Sequence, residues 1–128
     1  MPTPFRFALL AVTAAVLLLA PVAARETATF PVADLRPGMV ASGVTVFQGA
    51  RREPFTAHVL GVLRNAIGPR RPLIRARLEG GPLAQTGVIA GMSGSPVFID
   101  GRLVGAVAYS LGQFSREPIA GITPIDEM

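Results

Sequence analysis

Residues 91–110, GMSGSPVFIDGRLVGAVAYS, decide how this chain is read. Their second half holds two apolar runs, 97–100 and 103–109, meeting at Asp100-Gly101. That dipeptide is favoured where both central residues of a hairpin turn take positive φ, so the runs read as two antiparallel strands. The first half holds a serine, Ser93, with Gly91 and Gly94 on either side and Pro96 leading into the next strand. A nucleophilic serine in a β protein needs its hydroxyl clear of the sheet and backbone N–H groups converging beside it on a developing oxyanion. Flanking glycines open backbone conformations closed to other residues and leave space above the turn. In such a turn the N–H groups of Gly91 and Ser93 are expected to point together into one small hole. The plainer reading is a Gly-rich turn joining two strands.

Outward from this stretch, short apolar runs alternate with turn residues at close spacing, the pattern of an all-β sandwich or barrel. Residues 40–47 (VASGVTVF) read as a strand that Arg36-Pro37-Gly38 turns the chain into, and residues 54–63 (PFTAHVLGVL) as another. In residues 73–78 (LIRARL) apolar and basic positions alternate, which sets Leu73, Arg75 and Arg77 on one face and Ile74, Ala76 and Leu78 on the other. Residues 65–69 read as a loop and residues 119–123 as a last short strand. Thr123-Pro124-Ile125-Asp126-Glu127 then carries a capping residue, a proline at the first helical position and acids in the first turn, so a helix is expected to begin there. A helix so short cannot hold itself together, and the chain is therefore expected to be the front part of a longer protein.

The first 24 residues stand apart. MPTPFRFALLAVTAAVLLLAPVAA has a basic residue, Arg6, an apolar run over 7–20 and small residues at Val22-Ala23-Ala24. This is the layout of an export signal cleaved after Ala24, and the run is short of the ~20 residues that span a bilayer comfortably. A periplasmic or extracellular protein is expected, touching a membrane only through this segment if it stays uncleaved. The chain of 128 residues has no cysteine, so neither a lipidated cysteine nor a disulfide framework enters, and residues 25–128 make one small domain stabilised by its core. Net charge is +4, falling to +3 without Arg6, and all twelve basic residues are arginine. They come as scattered pairs without interleaved aromatics, the pattern of a solvated surface and not of a nucleic-acid interface.

Gly91-Met92-Ser93-Gly94-Ser95-Pro96, followed at fixed spacing by Gly101 and Gly105, resembles the nucleophile segment of chymotrypsin-like serine peptidases. It is closer still to the stage IV sporulation protein B (SpoIVB) peptidase family, whose motif reads Gly-Met-Ser-Gly-Ser-Pro; Gly121-Ile122-Thr123-Pro124-Ile125 resembles that family's return strand. The resemblance implies a small antiparallel chymotrypsin-like β-barrel, Ser93 as nucleophile, the Gly91 and Ser93 amides as oxyanion hole, a peptide or protein substrate, and neither metal nor organic cofactor. Met92 replaces the aspartate of the chymotrypsin pattern, so activation by a newly cleaved N-terminus is not implied. Ser95 reads as a turn residue whose hydroxyl satisfies a nearby backbone group.

A serine needs a base, usually a histidine oriented by a carboxylate. His58 is the one histidine and hence the candidate base, yet it lies inside an expected strand, where a partly exposed strand histidine is the plainer reading. Asp34 and Asp100 are the acids to nominate, though turn roles account for both. A serine–lysine pair is excluded because the chain has no lysine. The expectation is an exported serine endopeptidase domain that draws base and acid from further sequence or a partner; its rival is a non-catalytic envelope module that binds extended peptides along a strand edge.

Overall fold

Alternation along the strands builds the core. In β1 (Val40–Val46), Ala41, Gly43 and Thr45 are buried while Val40, Ser42 and Val44 face solvent, the two-residue period of a strand covered on one side. The computed structural model describes residues 27–112 and 117–128, so the expected export signal lies outside the described residues. After β1 come β2 (Arg52–Leu63), β3 (Leu73–Glu79), β4 (Pro96–Ile99), β5 (Arg102–Ser110) and β6 (Ile119–Pro124). Every pairing is antiparallel, and the sheet closes on itself in the order β1-β2-β3-β6-β5-β4. Closure removes the open edges an all-β chain must otherwise protect.

The all-β barrel expectation holds, with strand ends within two residues of those read from the sequence. The β4–β5 hairpin turns on Asp100 and Gly101 at φ 50° and 73°. Ile74, Leu78, Met92, Val97 and Ile122 fill the interior, each side chain contributing about 1.5–3 kcal/mol by leaving water. Gly105 lets β5 lie against β6, since a methyl there would overlap the Thr123 carbonyl.

Barrel order makes one connection long. β3 and β4 are not neighbours, so residues 80–95 cross the mouth of the barrel between them, carrying a four-residue helix, α1 (Leu83–Thr86), and the 3-10 turn Ala90–Met92. Leu83 and Met92 point inward from this crossing and are fully buried. Phe30 and Leu35, ahead of β1, are buried toward the opposite mouth, where Phe30 bonds to Leu103.

One strand residue and one expected helix show what the local pattern leaves out. Leu73 shares the face of Arg75 and Arg77 as expected, but it is buried there because Gly121 of β6, the residue opposite Arg75, leaves room for its side chain against the outer wall. The helix expected from Thr123 is a single 3-10 turn, Ile125–Glu127, capped by Pro124 in an extended conformation. β6 pairing extends through Pro124 against Gly105, so Thr123 is still strand and cannot serve as the cap.

Candidate active site

Ser93 ends the 3-10 turn Ala90–Met92 on the rim made by the last residues of β1 and the first of β4. Three anchors hold the turn. Met92 is fully buried beneath it, the Gly94 N–H donates to Val107 at 2.7 Å, and Val107 N–H donates back to the Ser95 carbonyl at 3.0 Å. Ser95 is buried, and its hydroxyl lies 2.7 Å from that of Thr45; it meets a side chain of β1, not the backbone group expected. Gly94 sits at φ 86°, a region that excludes side chains, and so swings the chain from the turn into β4. Between buried Met92 and buried Ser95, Ser93 is exposed.

A cavity of about 240 Å³ opens beside Ser93. One wall is Val88, Ile89 and Ala90, and the other is the end of β5, from Val107 to Ser110. Apart from Ser93 and Ser110 its lining is apolar or aromatic, with no charged side chain. Beyond Val107, which the serine turn pairs, the end of β5 presents backbone with no partner on that side among the described residues. β4 meets β5 only as far as Pro96 opposite Ala106, whereas β5 continues to Ser110 along β6. Leu111 N–H donates to the Ile119 carbonyl at 2.7 Å, so by the alternation of antiparallel ladders Ser110 directs its own N–H and C=O away from β6, toward the serine turn.

The backbone of the turn differs from the converging pair of amides expected. The Ser93 N–H donates to the Ala90 carbonyl oxygen at 3.1 Å, closing the 3-10 turn. In a trans peptide C=O and N–H point in opposite directions, so the peptide that aims the Ala90 oxygen at Ser93 aims the Gly91 N–H away. Nor does this conformation need a glycine at 91: its φ is not positive, and a methyl there would make ordinary contact, 3.7 Å from the Val46 oxygen.

His58 is not brought to Ser93. It lies opposite Val40, at the start of β1, whereas the serine turn meets the end of β1 at Thr45 and Val46. Five or six residues of strand separate the two, roughly 17–20 Å. Ala57 and Val59 beside it are buried, so His58 faces outward, and its Nε2 lies 2.9 Å from Glu79 on β3. Glu79 is the acid that sequence reasoning missed; it sits two residues along β3 from Arg77, the residue opposite His58, and only the β2–β3 register reveals the diagonal. Asp100 belongs to the β4–β5 turn and Asp34 to the 3-10 turn Val32–Asp34. Neither stands beside Ser93 or His58 in the hydrogen bonds of the described residues.

A family model described as SpoIVB peptidase S55 matches residues 28–123. The chain belongs to the SpoIVB peptidase S55 family. The match reaches into all six strands of the barrel, so the serine turn lies inside the S55 domain. No curated protein and no solved structure matched the chain. Among the described residues of the S55 domain no three His, Asp or Glu side chains gather closely enough to hold a metal ion, and no helix is long and apolar enough to cross a membrane.

Proposed function

We propose that this S55 domain is an exported serine endopeptidase whose nucleophile is Ser93. The observation that carries the reading is the coincidence of three features at one rim: an exposed hydroxyl at the tip of an anchored turn, an apolar cavity beside it, and backbone N–H and C=O groups of β5 left open alongside. An extended peptide adding to that edge by main-chain hydrogen bonds lays one side chain into the cavity and its carbonyl carbon against Ser93. The apolar walls favour a small aliphatic residue before the cut bond and disfavour a charged one, whose burial without a partner is costly.

The Ser93 oxygen bonds to the carbonyl carbon as its proton passes to a general base, and the carbonyl oxygen takes the negative charge. The C–N bond then breaks, the amine leaves with the proton, and water frees the acyl group from Ser93 by the same steps in reverse order. Oxyanion stabilisation requires the Ala90–Gly91 peptide to turn over. This releases the Ser93 N–H from the Ala90 oxygen and brings the Gly91 N–H inward. Such a rotation takes residue 91 from the φ of a 3-10 turn, near −60°, to about +120°, which glycine alone tolerates. That second conformation explains a glycine the described one does not require. The five or six residues of strand between His58 and Ser93 speak against His58 as the base, which this reading draws instead from further sequence or a partner.

The non-catalytic rival uses the same edge and cavity, and the Ser93 N–H engaged on Ala90 favours it. Incubating the full-length protein with a peptide library and reading new termini by mass spectrometry separates the two. Cuts after small aliphatic residues that disappear in Ser93→Ala support the peptidase; bound but uncut peptides support the rival.

A further inference from the structure

The opposite rim of the barrel carries a second cavity, of about 460 Å³, between the end of β2, the loop to β3 and the segment ahead of β1. Cavities of this size suit small molecules. Its apolar lining includes Val32, Val62 and Pro72, and its charge comes from three arginines, Arg36, Arg64 and Arg70. Arg36 is fixed: its Nη1 donates to the carbonyls of Ala33 and Leu35, both at 2.8 Å. Arg64 and Arg70 have no carboxylate within 4.0 Å among the described residues, where the ion pairs are His58–Glu79 and Arg71–Glu127.

The loop that presents these arginines is built, not slack. Asn65 and Arg70 both take positive φ, 57° and 60°, a region where an arginine is uncommon. The Asn65 side-chain oxygen accepts the Arg70 N–H at 2.6 Å, and Ala66 N–H donates to the Arg71 carbonyl at 3.1 Å. Strained backbone of this kind persists where the surroundings hold it, and it gathers at binding sites.

We propose that this cavity binds a small oxyanion carrying an apolar group, a phosphate or carboxylate held by Arg64 and Arg70 with its apolar part against Val62 and Pro72. Guanidinium groups match both oxyanions through paired hydrogen bonds, and the lining between them gives an aliphatic body somewhere dry to lie. The proposal is independent of the peptidase reading, since the site lies on the order of 30 Å from Ser93 along β2.

Calorimetric titration of the full chain with hexyl phosphate and hexanoate tests it, with hexanol and inorganic phosphate as half-ligands. Saturable binding of at least one amphiphile is expected, at least tenfold tighter than either half-ligand. Arg64→Gln and Arg70→Asn, the latter chosen because asparagine tolerates positive φ, should each weaken it at least about tenfold. Arg77→Gln, on the outer face of β3, should not. Equal binding of hexanol, equal weakening by Arg77→Gln, or no saturable binding of either amphiphile overturns the proposal.

Discussion

Two regions of this barrel hold polar side chains that invite a catalytic reading, and they differ in every respect that matters. His58 and Glu79 on the outer face of β2 and β3 form a histidine–carboxylate contact, the pairing a triad would use, but they lie on a convex wall with 42% and 73% of their side chains exposed. The cavity beside Ser93 is lined by neither histidine nor acid, yet it adjoins an open strand edge and a turn pinned by buried residues on both sides. Residue type marks the first region; geometry marks the second. A site needs chain brought over a barrel mouth, and the 80–95 connection does this at the serine rim and not over the outer face of β2 and β3.

The largest effect that sharpens this contrast is loss of the nucleophile: Ser93→Ala should abolish peptide cleavage while leaving the thermal midpoint nearly unchanged, because the hydroxyl is exposed. Next comes Gly91→Ala. Its added methyl fits the described turn, so denaturant unfolding should change by less than about 0.5 kcal/mol, while turnover should fall about 10²–10³-fold, the effect of losing one oxyanion donor. If activity and stability fell together, the turning-over of the Ala90–Gly91 peptide would be the wrong explanation for that glycine. Thr45→Val deprives the buried Ser95 hydroxyl of its partner and should cost about 1–3 kcal/mol in urea unfolding. Smallest is His58→Ala. An exposed pair of this kind contributes about 0–1 kcal/mol, and cleavage should be retained; lost cleavage in a folded His58→Ala variant would break the comparison by making the outer face part of the site.

The same contrast explains what the sequence disclosed. Strand period and turn chemistry are local, so β1 to β6 and the Asp100-Gly101 hairpin could be read within two residues, and the Ser93 motif stood out by its glycines. The burial of Leu73 was not legible because it depends on Gly121, 48 residues away, leaving room on a neighbouring strand. The His58–Glu79 contact and the distance from His58 to Ser93 depend on register, which no local pattern encodes. The direction of the Ala90–Gly91 peptide was equally hidden: the same six residues are compatible with an open hole or a closed 3-10 turn, and only coordinates distinguish them.

The central claim is that the environment of position 93, and not the mere presence of a serine, creates a nucleophile. Fluorophosphonate treatment of cells that make the protein from its own gene, followed by mass spectrometry of its peptides, tests this most directly. The account predicts an adduct on Ser93 that is absent from Ser95 and Ser110 and is lost when the protein is unfolded in urea before treatment. Folded protein with no adduct on Ser93, or with labelling unchanged by unfolding, would contradict it.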